Sequence, residues 1–336
     1  MRKLASIRTI DSIAPIEGAD AIEVAAVGGW KIVVKKGEFA VGDLAVYLEI
    51  DSWVPTELAP FLSKGKEPRE FEGIKGERLK TIKLRGQLSQ GLLMPLEEAC
   101  KNIESELFEG LDVSFPLNIV KWEKPMNAQL AGMARGNFPS LIPKTDQERV
   151  QNLKKEVDAA LESGLKFEVT EKLEGSSMTV YLIDGVFGVC SRNLDLKETE
   201  GNAFWATARE LDIEGKMRAC GEGRWAIQGE LIGPGIQGNI YKLSKTEFHV
   251  YDVYNIDHGD YLTPVYRRAL IQRMGLKHVP VIWSTWELSE VDAILAQAEG
   301  RAWLNKDQER EGVVYKQIDG GMTFKAISNK YLLGEK

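Results

Sequence analysis

The chain has 336 residues, of which 43% are hydrophobic and 28% charged, and its formal net charge is −7. This length and composition are typical of two globular domains and exclude collagen-like, low-complexity and largely disordered proteins. No secretory signal or long apolar run occurs, and the three cysteines and three histidines lack disulfide or metal-ligand spacing. We therefore expect a cytoplasmic protein without a membrane segment, a disulfide or a zinc site.

Short aliphatic and β-branched runs separated by glycine turns fill the first part of the chain. The clearest runs are residues 22–24, 30–34 and 44–48, and a further strand pair at 79–84 and 91–94 flanks Arg85 to Gln90. Several short strands at this spacing predict an OB-like barrel over residues 1–115. Barrels of this kind commonly bind nucleic acid.

One part of this domain is locally basic although the whole chain is acidic. Between Ser63 and Gln90, eight lysines and arginines face four glutamates. A phosphate backbone could follow such a track, and a solvated hairpin explains the charges equally well. The candidate nucleic-acid contacts are Lys80, Lys83 and Arg85.

A proline- and glycine-rich stretch, residues 116–143, predicts the connection between two domains. Thr145-Asp-Gln-Glu148 then has the form of a capping box, and apolar residues recur at helical spacing as far as Gly164. This pattern predicts an amphipathic helix whose first turn lies beside Lys144 and Arg149. Near the positive end of the helix dipole these cations could collect phosphate oxygens, although ordinary surface charge explains them as well.

The stretch Glu171-Lys-Leu-Glu-Gly175 ends the next predicted strand. A lysine amine can attack the α-phosphorus of a nucleoside triphosphate if desolvation or nearby cations keep it unprotonated. Glu174, two residues after Lys172, lies on the same face of an extended strand and can help to hold magnesium. The glycine that follows allows the backbone to approach a ligand. Alone, the pattern is weak, because these residue types are abundant on surfaces.

The rest of the chain reads mainly as strands, with helices at 265–275 and 289–304 and a closing hairpin at 312–327. Residues 224–232 alternate, which places Glu230 on the face opposite the apolar side chains. Gly233 to Gly238 matches G-x-G-x-x-G, but no helical apolar stripe follows, so we interpret it as a loop between strands.

Six short motifs occur in order in this second half. They are Lys172-Leu-Glu-Gly175, Ser191-Arg-Asn193, Gly229-Glu-Leu231, Phe248-His-Val-Tyr-Asp-Val253, Glu311-Gly-Val-Val-Tyr-Lys316 and Phe324-Lys-Ala326. The series resembles that of covalent nucleotidyltransferases, the ATP-dependent DNA and RNA ligases and the GTP-dependent capping enzymes, over residues 144–331. The resemblance implies an ATP-grasp-like domain built on antiparallel sheets with flanking helices, and hence an α+β protein.

Domain order narrows the resemblance. DNA ligases and capping enzymes carry the OB domain after the nucleotidyltransferase domain, whereas here the barrel comes first. The chain is thus similar over nearly its whole length to the Naegleria and Deinococcus type of RNA ligase. We therefore expect an OB-like nucleic-acid-binding domain at 1–115, a linker at 116–143 and an adenylyltransferase domain at 144–336.

This resemblance implies a role for each matching position. Lys172 becomes adenylylated, Glu171 lies beside the adenine, and Tyr251 stacks on the base, with Phe248 as the alternative. The implied cofactor-binding residues are Glu171, Glu174, Arg192, Glu230, Tyr251, Lys316, Lys325, Arg149 and Lys144. The implied metal residues, acting through water, are Glu174, Glu230 and Glu311. Two positions depart from the family pattern: Glu174 replaces the common aspartate, and Ile327 replaces a second lysine.

The implied cofactors are ATP, as AMP donor, and Mg²⁺ or Mn²⁺, and the implied partner is RNA or an RNA-containing nicked duplex, bound by a monomer. The implied reaction joins 3′-OH and 5′-phosphate ends through lysyl-AMP and an adenylylated 5′ end. A DNA ligase or a capping-type guanylyltransferase is the alternative enzyme. The non-enzyme alternative is a nucleic-acid-binding OB protein with a degenerate second domain. Such a protein would bind strands without forming the covalent adduct.

Overall fold

The computed structural model describes residues 3–124, 131–221 and 223–334. Contacts between residues divide the chain into two compact units, Met1–Pro125 with Gln151–Lys155, and Met126–Val150 with Glu156–Lys336. Both are built mainly from antiparallel strands with a few helices, which confirms the predicted α+β class. Within the described ranges, no helix is long and apolar enough to cross a membrane.

The first unit consists of short strands in several small sheets. Its strands are β1 Ala5–Thr9, β2 Ser12–Pro15, β3 Ile22–Val27, β4 Trp30–Lys35, β5 Leu44–Leu48, β6 Ser52–Pro55, β7 Arg69–Phe71, β8 Ile74–Arg78, β9 Thr81–Leu84, β10 Gln87–Gln90, β11 Leu92–Pro95 and β12 Val120–Lys121. One helix, α1 Leu96–Ala99, follows β11. The sheets have the orders β1-β5-β11, β2-β3-β4 and β12-β6-β8-β7, and β9 pairs with β10.

The predicted pairing around Arg85 was wrong. Residues 87–90 form a strand of their own that pairs with β9, so the turn contains only Arg85 and Gly86. Both of these residues have positive φ, 50° and 81°. Two consecutive positive φ values suit the tight turn that matches the right-handed twist of a two-stranded ribbon. The hairpin therefore closes locally instead of pairing β9 with β11.

Residues Gln151–Lys155 belong to the first unit although they follow part of the second in sequence. The Gln151 carbonyl accepts from the Gly29 amide at 2.9 Å, and the Trp30 indole donates to Asn152 at 2.7 Å. The Asn152 amide in turn donates to Glu49 at 3.2 Å. These bonds satisfy polar groups next to the buried Trp30 ring.

The second unit contains two larger sheets. Its strands are β13 Ala134–Asn137, β14 Lys166–Lys172, β15 Ser176–Ile183, β16 Val186–Cys190, β17 Leu194–Leu196, β18 Trp225–Ile232, β19 Glu247–Asn255, β20 Asp260–Tyr261, β21 Lys277–His278, β22 Val281–Glu287, β23 Gly312–Gln317 and β24 Thr323–Ile327. The larger sheet has the order β13-β17-β16-β15-β18-β19-β20 with β21 parallel to β19, and the smaller is β22-β14-β23-β24.

Three of the helices in the second unit pack on one face of the larger sheet. The helices from residue 154 onward are α2 Lys154–Glu162, α3 Ala203–Glu210, α4 Ile213–Ala219, α5 Pro264–Arg273, α6 Val291–Ala298 and α7 Asn329–Leu333. Trp205, Met217 and Ile271 from α3, α4 and α5 share a core with Val180 and Ile227 of the sheet. Burying this apolar face leaves the other face of the same strands available for polar side chains.

The predicted capping box at Thr145 was wrong. This part of the chain forms a 3-10 turn only at Val150–Leu153, and α2 begins at Lys154. Thr145 Oγ1 lies 3.2 Å from Ser177 Oγ, and Glu148 Oε1 accepts from the Arg149 amide. Because both side chains are used elsewhere, neither caps a helix. Lys144 therefore does not flank a helix N-terminus, and Arg149 precedes only the short 3-10 turn and not the start of α2.

The irregular connection predicted at 116–143 was wrong in part. β12 pairs with β6 in the first unit, and β13 extends the larger sheet of the second. Residues 125–130 lie outside the described part of the chain. The domain limits expected from the sequence stay a prediction.

Candidate functional site

Lys172 lies at the end of β14, where the smaller sheet brings a carboxylate beside it. Antiparallel pairing places Lys172 opposite Gly312, the first residue of β23, so the preceding Glu311 reaches the lysine. Lys172 Nζ lies 2.7 Å from Glu311 Oε1, and the Lys172 side chain is 30% exposed. The amine is therefore fixed by an ion pair and still open to a ligand.

The larger sheet supplies a second carboxylate, Glu230 of β18. Gly175 explains how β18 comes so close to the lysine loop, because a Cβ at Gly175 would lie 2.4 Å from the Leu231 carbonyl and 2.9 Å from Glu230 Cγ. Any other residue would push β18 away. The glycine thus allows two segments of the protein to approach each other closely. This packing is enough to explain a glycine at position 175, without the expected approach of the backbone to a ligand.

Burial and the neighbouring carboxylates shift the pKa of Lys172 in opposite directions. Burial lowers the pKa of Lys172, but the charges of Glu311 and Glu230 outweigh it, and the pKa is raised overall. Burial, reinforced by Glu311 and opposed by Lys172, raises the pKa of Glu230 to about 8. The protein groups alone therefore do not meet the condition that desolvation or nearby cations keep Lys172 unprotonated. A cation that drew Glu311 and Glu230 away would release the amine as a nucleophile.

Glu174 is held by two tyrosines. Its amide donates to Tyr241 Oη at 2.7 Å, and its carboxylate shares a hydrogen bond with Tyr331 of α7. Among the described residues, no three His, Cys, Asp or Glu side chains are grouped to ligate one metal ion directly. Two carboxylates on one lysine, one of them with its pKa raised to about 8, nonetheless form an environment that suits a divalent cation.

Strand alternation separates Glu171 from Lys172. Glu171 is 2% exposed and accepts from the Trp303 amide at 2.8 Å. Burial raises its pKa, and the Trp303 amide together with the charges of Arg310 and Lys306 opposes this shift. Glu171 therefore lines the other side of β14, and its predicted place beside the adenine stays a prediction.

Lys316, Asp252 and Tyr251 lie together between the two sheets. Lys316 Nζ lies 2.5 Å from Asp252 Oδ1, donates to the Tyr251 carbonyl at 2.7 Å and lies 5.7 Å from the centre of the Tyr251 ring. Burial lowers the pKa of Lys316 to about 8, although Asp252 opposes the shift. Phe248, the alternative stacking residue, is 1% exposed within the apolar core, where a bound base cannot reach it.

The segment of residues 143–149, which we term the strap, joins the two sheets of the second unit. At its start the Pro143 carbonyl accepts from Gln228 of the larger sheet at 2.9 Å. At its end the Glu148 carbonyl accepts from the Lys325 amide of β24 at 2.8 Å, and Arg149 forms a parallel bridge with Lys325. The strap therefore places Arg149 beside one of the two cations predicted for the triphosphate.

The remaining predicted cations lie along the same strap. Lys144 Nζ donates to Asn193 at 2.9 Å, and Arg192 pairs with Asp146 at 2.8 Å. Arg192 and Asn193 lie just after β16, which ends at Cys190. The geometry thus ties these side chains to the loop after β16, while their contacts with a nucleotide stay a prediction.

Comparison with known proteins follows the same division of the chain. A family model described as RNA ligase matches residues 165–331, and one described as an OB-fold domain matches residues 4–96. No curated protein sequence matches the chain. Solved structures of Naegleria gruberi RNA ligase are 46% identical to it. The structure of an apo variant matches with a TM-score of 0.92. The match covers 99% of this chain and 98% of the Naegleria gruberi chain.

Two further variants of the same protein match over a similar length. One, solved with ATP and Mn, has 46% identity and a TM-score of 0.91 and covers 98% of each chain. The other, with AMP and Mn, has 46% identity, a TM-score of 0.92 and full coverage of both chains. The chain belongs to the RNA ligase family. This membership confirms the resemblance to Naegleria-type RNA ligases, including the order of an OB-fold domain before the ligase domain.

Three residues of the ligase next to its candidate site had no predicted role. Glu168 is fully buried in β14 and lies four residues before Lys172, hence on the same face of the strand. Asp252 follows Tyr251 within a recognised motif. Arg267 lies on α5 and is 1% exposed. The glutamate between Phe167 and Val169 in β14 was an available signal, whereas nothing in the local sequence distinguishes Arg267.

The basic track of the ligase is less continuous than its sequence suggested. Arg69 pairs with Glu77, Lys75 lies 3.3 Å from Glu67, and Arg78 lies 2.6 Å from Asp51. Lys83 and Arg85 are exposed on the β9–β10 hairpin, and Lys80 is exposed just before it. The hairpin is thus the best remaining candidate for nucleic acid.

Proposed function

We propose that this RNA ligase uses ATP to adenylylate Lys172, transfers AMP to a 5′-phosphate and joins that end to a 3′-hydroxyl. The observation that carries the proposal is the lysine amine at the end of β14, held 2.7 Å from Glu311 and facing Glu230. The family membership of the chain and the nucleotide complexes of Naegleria gruberi RNA ligase support it.

Each proposed step is a displacement at phosphorus. The Lys172 amine attacks the α-phosphorus of ATP and pyrophosphate leaves, then a 5′-phosphate oxygen attacks lysyl-AMP and the lysine leaves. Finally a 3′-hydroxyl attacks the adenylylated 5′ end and AMP leaves. Such steps depend mainly on alignment and charge neutralisation.

The protein's own residues would divide this work. Lys316 and Lys325, with Arg149 and Lys144 on or beside the strap, would hold phosphate oxygens, and Tyr251 would stack on the adenine. Lys316 is suited to this because its ammonium is already fixed at Asp252.

Magnesium or manganese would complete the site. Glu230, Glu311 and Glu174 are the residues that would hold the ion, mostly through water, as Mg²⁺ prefers. When bound, it supplies neutralisation of phosphate charge. The two carboxylates that raise the pKa of Lys172 are also the two that a cation would engage. Cation binding and release of the amine are therefore linked.

Labelling tests the nucleophile directly. The parent ligase incubated with ATP labelled at the α-phosphate should retain label after denaturation, and Lys172→Ala should retain none. Lys166→Ala is the matched control, because Lys166 lies on the same strand with a 44% exposed side chain. Label on the Lys172→Ala protein at the parent level refutes the assignment. Labelling by GTP instead of ATP would favour a capping-type enzyme.

Nicked duplexes that differ only in ribose or deoxyribose at the break test the proposed RNA substrate. We expect sealing to require ribose on at least one side, and equal sealing of an all-DNA nick would favour the DNA ligase alternative. We also propose that the ligase acts as a monomer, and sedimentation during catalysis would test that state.

A further inference from the structure

A group of buried charged side chains surrounds the ammonium of Lys316, and the reaction proposed above assigns a role at the nucleotide to Lys316 alone among them. We term it the Arg267 cluster: Arg267, Glu168, Asp252, His278 and Lys316. Glu168, Arg267 and Asp252 are 0%, 1% and 6% exposed. Burying so many charges costs free energy unless each is paired, so their arrangement calls for an explanation beyond packing.

Arg267 is the centre of the cluster. Its guanidinium hydrogen-bonds Glu168 of β14, donates from Nε to His278 Nε2 of β21 at 3.0 Å, and lies 3.6 Å from Asp252 Oδ1 of β19. Asp252 Oδ1 lies in turn 2.5 Å from Lys316 Nζ. One side chain on α5 therefore connects both sheets of the second unit and ends at the lysine.

A lysine ammonium at the end of a flexible stem needs a fixed partner if it is to meet a phosphate at one point. Asp252 can be that partner only if its own carboxylate is held. The guanidinium of Arg267, itself fixed by Glu168 and His278, can hold it through the ion pair at 3.6 Å. We propose that Arg267 is a positioning residue for ATP binding, which fixes the ammonium of Lys316 by way of Asp252. The inference rests on the proposed role of Lys316 at the triphosphate.

The charged groups that face Lys316 shift its pKa in different directions, which makes the arrangement testable. They are Asp252, Arg267 and Glu168, and His278 stays neutral because burial and Arg267 lower its pKa to about 3. Burial is the largest influence on the pKa of Lys316. Asp252 then raises this pKa and Arg267 lowers it. Removal of Asp252 and removal of Arg267 should therefore move the titration of Lys316 in opposite directions.

Equilibrium binding of ATP with Mg²⁺ to a Lys172→Met protein measures this without chemistry. In that background, Arg267→Gln and Asp252→Asn should each weaken binding about tenfold near neutral pH, the loss expected for a charged hydrogen-bond partner. The pH at which binding declines should rise in Arg267→Gln and fall in Asp252→Asn. A purely structural role would give the same displacement in both variants or none.

Lys316→Met in the same background separates the two hypotheses. If it leaves ATP affinity unchanged, the proposed role of Lys316 fails. If it weakens binding while Arg267→Gln and Asp252→Asn keep the parental pH dependence, the positioning inference is overturned and the proposed function stands.

If Arg267→Gln does not fold, two conservative variants test the same inference. Arg267→Lys keeps the charge but cannot reach all of its partners, so it should keep the parental pH dependence and lose affinity; full parental affinity would overturn the inference. Arg268→Lys is the matched control, because Arg268 is the next residue on α5 and lies 2.9 Å from the other carboxylate oxygen of Glu168. It should leave the pH dependence of ATP binding in place.

Discussion

Glu230 links the protonation of the site to the stability of the fold. Its pKa is raised from an ordinary value of 4.5 to about 8, with burial as the largest cause. A carboxyl group whose pKa is raised on folding contributes stability that is fully present below its ordinary pKa and is lost as pH rises toward 8. The ligase therefore keeps a carboxylate that is unfavourable for folding at the pH where a metal-bound site would use it.

Replacing that carboxylate should stabilise the protein in a pH-dependent way. Relative to the parent, Glu230→Gln should raise Tm by several degrees at about pH 9 and by much less at about pH 5, because the amide carries no charge to bury. Calorimetry at both pH values measures the difference. The exposed Glu200→Gln serves as a control and should change neither Tm, and an equal gain at both pH values for Glu230→Gln would contradict the assignment.

The pKa of His278 is shifted down on folding, whereas that of Glu230 is shifted up. Burial and the nearby charge of Arg267 lower its pKa to about 3, and its neutral ring accepts from Arg267 Nε. A histidine whose pKa is lowered on folding contributes stability that is present above its ordinary value of 6.5 and is lost as pH falls toward 3.

Replacing the imidazole should therefore weaken the acid dependence of stability. Between about pH 7 and pH 4.5, urea unfolding of the parent should lose at least about 1 kcal/mol more than His278→Gln does. The exposed His258→Gln provides the comparison and should follow the parent. If His278→Gln loses as much as the parent, the neutral buried ring is not responsible for the acid dependence.

At the scale of elements, the approach of β18 to the end of β14 depends on the missing side chain of Gly175. A methyl group there would lie 2.4 Å from a backbone carbonyl, which cannot move without shifting the strand. Gly175→Ala should therefore lower stability by about 2 kcal/mol, in the range of overpacking costs, and reduce lysine labelling at least tenfold because Glu230 moves. Urea unfolding and labelling with ATP measure the two effects.

Gly136→Ala is the matched control, because a Cβ at this position in β13 meets nothing within 4 Å. It should leave both stability and labelling near the parent values. If Gly175→Ala behaves in the same way, then the close approach that we describe does not hold the site together.

The same scale shows where local patterns failed. Period-two alternation over residues 224–232 identified β18, because its Ile227 and Leu231 share one face and pack into the apolar core. The T-x-x-E pattern at Thr145 predicted a helix start, but Thr145 bonds Ser177 and the strap bonds β24 instead. A capping box and an extended strap present the same side chains. Only the availability of partners on the two sheets decides between them.

At the scale of the whole molecule, strand binding and adenylylation should be separable. Replacing Lys80, Lys83 and Arg85 together by alanine should weaken binding of a nicked duplex and lower its salt dependence by about one unit of slope for each phosphate that these side chains neutralise. Labelling of Lys172 by ATP should be unchanged, since these residues belong to the other unit. Binding titrations at several salt concentrations and the labelling assay measure the two effects.

A triple alanine replacement of Lys31, Lys35 and Lys36 removes the same charge from the first unit. All three are exposed and lie on or just after β4. If this control weakens duplex binding as much as the hairpin variant does, then overall charge, and not the hairpin, accounts for binding.

The sequence by itself determined the class of the protein and the order of its domains, and it singled out Lys172, Glu230, Glu311 and Lys316 as candidate site residues. These follow from short patterns, because a strand ending in a lysine motif places its chemistry within a few residues. The tertiary structure alone decided that the surroundings raise the pKa of Lys172 and that Arg267 joins Glu168 to Asp252. Both depend on charges far apart in the chain, and electrostatic energy follows distance in space rather than separation along the sequence.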